Sequence, residues 1–346
     1  MQYTPFSDPG VPDIRTRASR STSRVALGFF VLMTVSQIAA FVAQLVLLRF
    51  SPATLRTTWF QWTVTIISLY VIAAPLAFLV LRTVPAEPPT RRRMSAKTFF
   101  IFLSMAFALL IVGSLVGQTV NNVIGRFFGE QESGITEAIE NSDLWLSCLY
   151  SLVIAPIFEE LFFRKLLVDR LRFLGDWAVI LLSGITFGLF HGNIEQFFYA
   201  ALLGTLLALI YQKTGNILYT ILVHSVINFF GGILPTVVDR LLPFNLADAA
   251  TTEGLMDILR AHPAAFAARL LVAYLPYIFA LIGVVFFCLY FRRMTRDMAP
   301  CPLPRGERAA PIVGNVGSIL YLVVCVGSMI LVIVSNALSG AAASIV

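Results

Sequence analysis

Three short polar motifs lie inside otherwise apolar stretches of the sequence: Glu159-Glu160 followed by Arg164, Phe187 followed by His191, and His224 followed by Asn228. An ionisable side chain within a membrane span is costly, so such residues are functional candidates by default. The chain has 3 histidines, and two of them fall in this set. The third, His262, lies in a loop and is assigned no role. A carboxylate, two imidazoles and an amide in an apolar cavity suit hydrolysis. A carboxylate withdrawn from water becomes a general base that works near neutrality. His and Asn N–H donors can stabilise the oxyanion of a tetrahedral intermediate. Alternatively, Glu159, His191 and His224 could serve together as ligands of a zinc ion that activates water. Neither a serine nucleophile elbow nor a Cys–His pattern is present, which argues against covalent catalysis.

This chemistry requires the motifs to meet at one depth. The predicted turn between the fourth and fifth spans is Leu174-Gly175-Asp176, with Gly175 stopping one helix and Asp176 capping the next. Glu160 lies 14 residues before Leu174 and His191 lies 15 after Asp176. At about 1.5 Å per residue both sit ~21–23 Å from the turn. The fourth span is then expected to run past Arg164 as an amphipathic cytosolic helix carrying Lys165, Asp169, Arg170 and Arg172. His224 and Asn228 lie roughly 13–20 Å beyond Gly215 and share a helix face. Adjacent helical residues point about 100° apart, so one site cannot take both glutamates equally. Glu160 is four residues before Arg164 and suited to an ion pair, which leaves Glu159 for the chemistry. Pro156 and the Gly184/Gly188 pair would let helices approach closely around the cluster.

The elements that hold these motifs follow from composition. Of 346 residues 58% are hydrophobic and 13% charged, with a mean hydropathy of +0.83. A soluble domain carries roughly 25% charged residues, so lipid must cover this surface. Disordered chains, poor in apolar residues, are excluded too. The fold class is all-α, a polytopic transmembrane helical bundle of about eight to nine spans. Nine apolar runs qualify, at 25–48, 59–81, 98–120, 144–163, 177–191, 195–212, 216–233, 267–291 and 314–337. The fifth is short, and the eighth carries Pro276.

Placing the N-terminus in the cytoplasm puts 19 of the 25 Lys and Arg residues in inner loops, as the positive-inside rule requires. The charge of +6 therefore reports topology and not nucleic-acid binding. The Arg91–Arg93 run is read as part of this orientation signal, and the implied location is the plasma (inner) membrane. The chain divides into 1–143, with three spans and an outer acidic loop; 144–233, a four-helix catalytic core; and 234–346, an outer loop and two spans. The acidic loop, 122–143, holds Glu130, Glu132, Glu137, Glu140 and Asp143 and reads as partly helical. An interfacial helix is expected within 234–266, and the 4 cysteines form no disulfide framework. Gly113 and Gly117 are expected to serve internal packing.

In their order, Glu159-Glu160-x-x-x-Arg164, Phe187-x-x-x-His191 and His224-x-x-x-Asn228 resemble the three motifs of the CAAX-protease and bacteriocin-processing family of intramembrane proteases. That family includes the type II CAAX prenyl endopeptidases. The resemblance covers roughly 144–233. It implies an all-helical peptidase with a membrane-buried site, acting on a membrane-associated or prenylated peptide or protein. It further implies Glu159 as general base assisted by His191, His224 and Asn228 as the oxyanion-stabilising pair, and Arg164 in support. Both a zinc-dependent and a metal-free glutamate mechanism are argued for the family, so the cofactor stays open between zinc and none. The alternative is a non-proteolytic membrane scaffold, or a bacteriocin self-immunity protein, of the same fold.

Overall fold

The computed structural model describes residues 13–57, 59–129 and 142–343. Among them every regular element is helical. The principal helices are α1 Ile14–Phe50, α2 Phe60–Leu81, α3 Ala96–Phe128, α4 Leu144–Leu174, α5 Asp176–Phe190, α6 Ile194–Thr214, α7 Ile217–Leu241, α8 Thr252–Ala261, α9 Pro263–Thr295 and α10 Val316–Ala343. Among the described residues eight helices are long and apolar enough to cross a membrane, and α5, with 15 residues, is a shorter apolar helix. The chain is therefore an integral multi-pass membrane protein. Of the expected acidic loop, residues 122–128 continue α3 and Asp143 precedes α4, whereas Glu130, Glu132, Glu137 and Glu140 lie outside the described residues. The expected helix within 234–266 is α8, whose first turn is capped by the Thr251 hydroxyl accepting from Gly254 N at 3.1 Å.

The central helix is α6, packed between α3 and α5. Small residues set both distances. A Cβ on Gly113 would come within 2.7 Å of the Tyr199 backbone nitrogen, and one on Gly117 within 2.6 Å of Glu195 O. On the other side, added Cβ atoms at Gly184 and Gly188 would lie 2.7 Å from Ala201 O and Phe197 O respectively. Both glycine pairs thus serve packing within the chain. α1 packs against α2 and α10, and α9 against α3. None of the four cysteines forms a disulfide.

The turn from α4 to α5 falls at Gly175, whose φ of +92° suits a residue without Cβ. Asp176 does not cap α5, contrary to expectation; Gly175 holds the N-cap position. The Asp176 carboxylate instead accepts from Ala299 N at 2.9 Å and from the Gln212 side-chain amide. The linker after α9 lies across this turn, so the carboxylate has a partner from outside its own helix.

The end of α4 also departs from expectation. Asp169 and Arg170 are buried, with exposures of 3% and 8%, and form no solvated cytosolic face. Arg170 Nε donates to Leu81 O at 2.7 Å, closing the end of α2 onto α4. Tyr211 Oη donates to Asp169 Oδ1 at 2.8 Å, and Lys165 pairs with Asp169 Oδ2 at 2.7 Å. Helices α2 and α6 cover this segment from two sides, and a charge so covered must be paired.

Candidate active site

Arg164 and Glu160 lie one turn apart on α4, and neither has any exposed surface. Arg164 Nε meets Glu160 Oε2 at 2.8 Å, and Nη2 donates to Oε1 at 3.1 Å, a two-point pairing. The third donor, Nη1, binds Ser183 Oγ on α5 at 2.9 Å, and that hydroxyl donates in turn to Phe163 O at 2.8 Å. The guanidinium carbon also lies 5.0 Å from the Phe187 ring centre. A charged pair without solvent needs this many partners, because a lone buried ion costs several kcal/mol. Around these residues α4 widens into π-helical turns at Tyr150–Ile154 and Leu161–Leu166, with Ala155–Glu160 between them. Such turns are rare and often accompany function.

α7 brings His224 to the same carboxylate. His224 Nδ1 lies 3.1 Å from Glu160 Oε1, and its Nε2 lies 3.7 Å from Glu159 Oε2. A carboxylate paired with arginine accepts, so the Nδ1 hydrogen is directed at Glu160 and the other ring nitrogen faces Glu159. Both Glu160 oxygens are engaged. Glu159 differs: its side chain is 12% exposed, and among the described residues it is the one carboxylate on the wall of a recess formed by α1, α2, α4 and α5. The rest of that wall is apolar or aromatic, including Leu32, Tyr70, Phe158 and Phe190.

His191 stands at the C-terminal end of α5, with Nδ1 2.8 Å from Phe187 O. A carbonyl can only accept, so Nδ1 carries the hydrogen and Nε2 is left as the acceptor. The Phe187 ring touches both histidines, with centroids 4.9 Å from His191 and 5.7 Å from His224. The aromatic residue of the second motif thus spaces the two imidazoles and lies against Arg164. Asn228 is one turn beyond His224 and is placed differently. Its Nδ2 donates to Ser151 O at 2.8 Å, beside Ser225 Oγ donating to Leu152 O at 2.8 Å. These two bonds fasten α7 to the first widened turn of α4.

Glu159, Glu160, Arg164 and His224 therefore converge, His191 adjoins them through Phe187, and Asn228 is held along α4. Zinc was a candidate on the donor types of Glu159, His191 and His224. Among the described residues no three His, Cys, Asp or Glu side chains are placed to share a metal ion. Each imidazole directs Nδ1 at an oxygen and keeps Nε2 as its free nitrogen, but the two histidines and Glu159 are not brought together around one point.

Two contributors are not legible from the sequence. Ser183 resembles any helical serine in an apolar run, and nothing in its surroundings marks it as the partner of Arg164. Tyr70 lies on α2, far from the motifs in sequence, yet lines the recess with Glu159.

Comparison with known proteins gives matches to part of the chain. A family model described as Type II CAAX prenyl endopeptidase Rce1-like matches residues 141–230. The protein named "Putative membrane peptidase YdiL" of Bacillus subtilis (strain 168) is 26% identical over 166 residues, 46% of this chain and 67% of that protein. UPF0177 protein YxdF of Lactococcus lactis subsp. lactis (strain IL1403) is 23% identical over 186 residues, 53% of this chain and 99% of that protein. No solved structure matches the chain significantly. All six polar motif residues, from Glu159 to Asn228, fall inside the matched segment. Residues 141–230 of this membrane protein are thus similar to the Rce1-like type II CAAX prenyl endopeptidases.

Proposed function

We propose that the protein is a membrane-embedded endopeptidase that hydrolyses a peptide bond of a membrane-associated, prenylated substrate, with Glu159 as the general base. A membrane protease at family level is supported by the matched domain and by the similarity to a protein named a membrane peptidase. The observation that carries the assignment is the division of labour between adjacent glutamates. Glu160 is engaged by Arg164 and His224, whereas Glu159 lies on the recess wall with His224 Nε2 at 3.7 Å.

Glu159 takes a proton from water as the water oxygen bonds to the scissile carbonyl carbon. The carbonyl π pair moves onto oxygen, giving a tetrahedral intermediate. His191, with Nε2 as acceptor, helps orient that water. Of the pair that the resemblance implies for the oxyanion, Asn228 has a second amide hydrogen beyond the one given to Ser151 O, whereas His224 turns Nε2 toward Glu159 and serves by holding the two glutamates in place. As the intermediate collapses, the C–N bond breaks and Glu159 returns its proton to the leaving amine. Arg164 supports the site by fixing Glu160, which fixes His224. The donors as placed do not assemble a zinc centre, and no step is routed through one. The positive-inside distribution of Lys and Arg supports a cytoplasmic N-terminus, and a plasma-membrane location is part of the same proposal.

The test is cleavage by the full-length protein reconstituted in lipid vesicles. The probe is a quenched fluorescent peptide ending in a prenylated Cys-a-a-X box. Fragments cut at the prenylated end, identified by mass spectrometry, are expected; an intact peptide contradicts the proposal.

A further inference from the structure

The side from which a substrate can reach Glu159 follows from how the bundle is filled. The two basic linkers, 82–95 after α2 and 296–315 after α9, are laid across the nearer ends of α4–α7. Glu87 N donates to Asp169 O at 2.6 Å and Arg92 N to Thr214 O at 2.7 Å. Asp176 N donates to Ala299 O at 3.0 Å, and a Cβ on Gly175 or Gly215 would lie 2.6 Å from Pro300 O or Pro89 O respectively. The start of α1 joins the same end, with Arg17 on Glu87 at 2.7 Å and Arg15 paired with Glu307. Beyond this seam residues 166–171 of α4 and 206–212 of α6 are all buried. Glu159 is ten residues from Asp169, ~15 Å along α4, and the layer between them ends in Glu160, Arg164 and Ser183, none with exposed surface. The linker end of the bundle is thus closed to a peptide.

Exposure returns on the far side of that layer. Glu159, His191 and Asn228 are partly exposed, and each lies farther along its helix from the linkers than the buried Arg164, Ser183 and His224. Helix α1 shows where the bundle opens. Its buried residues recur on one face from Ala18 to Met33, and none follows as far as Phe50. Leu32, in the last buried turn, lines the recess with Glu159. Beyond it seven large apolar side chains, from Ile38 to Phe50, are 49% exposed or more. A helix held along one face buries a residue in every turn, so α1 loosens from the described bundle at the level of the recess.

We infer that the substrate reaches Glu159 from the half of the membrane remote from the two basic linkers, alongside α1 beyond Met33, and that the substrate class is a lipid-anchored or membrane-inserted peptide with its scissile bond in that half. The apolar side chains of α1 offer the anchor a surface that needs no polar partner, and the peptide meets the partly exposed Glu159 and His191. On the positive-inside reading that half is the extracytoplasmic one. This inference rests on the proposed peptidase reading and adds to it the side of approach.

Its test uses full-length protein with an affinity tag ahead of its first residue, placed in lipid vesicles at no more than one molecule per vesicle. Because Arg15 and Arg17 hold the start of α1 to the linkers, tag capture separates vesicles with the linkers outward from those with the linkers inward. The probe is the prenylated quenched peptide extended by a multiply charged segment that cannot cross the bilayer, added to the outside. Vesicles with the linkers inward are expected to cleave it, and vesicles with the linkers outward to do so only after detergent is added. A second measurement does not depend on cleavage. Glu159→Cys protein is treated from outside with an impermeant methanethiosulfonate, and the adduct at position 159 is located by mass spectrometry. Modification is expected in vesicles with the linkers inward alone. Modification or cleavage from the linker side before detergent overturns the inference and leaves the peptidase reading intact. So does a position 159 unmodified in both kinds of intact vesicle yet modified in unfolded protein. A peptide left whole by wild type even in detergent overturns the peptidase reading, and this inference with it.

Discussion

Arg164 and Glu160 are joined at 2.8 Å with no solvent exposure on either side chain, and they are the pair around which the rest of the site is arranged. Removing one member of such a pair leaves the other charged and buried. Arg164→Ala is expected to destabilise the protein by about 3–5 kcal/mol, measured by thermal or denaturant unfolding in detergent. Arg164→Lys should recover only part of this, because an ammonium cannot hold Glu160 at two points while binding Ser183. Full recovery by lysine would show that charge alone matters.

The close packing of α5 on α6 predicts a contrast between two glycines. A Cβ on Gly184 would lie 2.7 Å from both Ala201 O and Thr205 N, backbone atoms that cannot move without shifting α6. Gly184→Ala is expected to cost about 1–3 kcal/mol through overpacking. It should also reduce activity, since α5 carries His191. Gly327→Ala on α10 meets nothing within 4 Å and should be neutral or stabilising by up to about 1 kcal/mol. Parallel unfolding curves of the two variants decide this.

At the far end of α4, Tyr211→Phe removes the 2.8 Å bond to Asp169 Oδ1 but leaves Lys165 on Oδ2. A hydrogen bond to a charged group is worth roughly 1.5–3 kcal/mol, and the retained lysine argues for the lower end. Turnover per folded molecule should not change, because none of these residues lines the recess. A large loss of kcat at unchanged stability would place this cluster in the reaction.

The placement of the donor side chains predicts the response to chelators. With no three His, Cys, Asp or Glu side chains among the described residues set to share a metal ion, activity should survive exhaustive treatment with a zinc chelator. Purified protein should carry no stoichiometric zinc by elemental analysis. Loss of activity on chelation with recovery on added zinc would contradict the metal-free reading.

What could be read from the sequence was local. Gly175 and Gly215 mark turns because their φ values of +92° and +58° favour glycine, and Glu160 meets Arg164 because four residues make one helical turn. The all-helical bundle follows from apolar runs of spanning length. What could not be read depends on partners distant in the chain. Asp176 looks like an N-cap until Ala299, 123 residues later, is laid against it. Asp169 and Arg170 look like a solvated face until Tyr211 and Leu81 cover them. Asn228 spaces correctly with His224, but its amide bond goes to Ser151, a contact the motif does not encode. The uniform rise assumed for α4 also ignores its widened turns, which hydropathy does not reveal.

The central claim, that Glu159 and not Glu160 performs the chemistry, is tested most directly by the single-turnover rate of Glu159→Gln on the prenylated peptide in lipid vesicles. Glutamine preserves shape and removes the base, and the side chain makes no ion pair with Arg164 that the change would break. The account predicts a rate lowered by about 10²–10⁴-fold with unfolding unchanged. A folded Glu159→Gln protein that cleaves at the wild-type rate would contradict it.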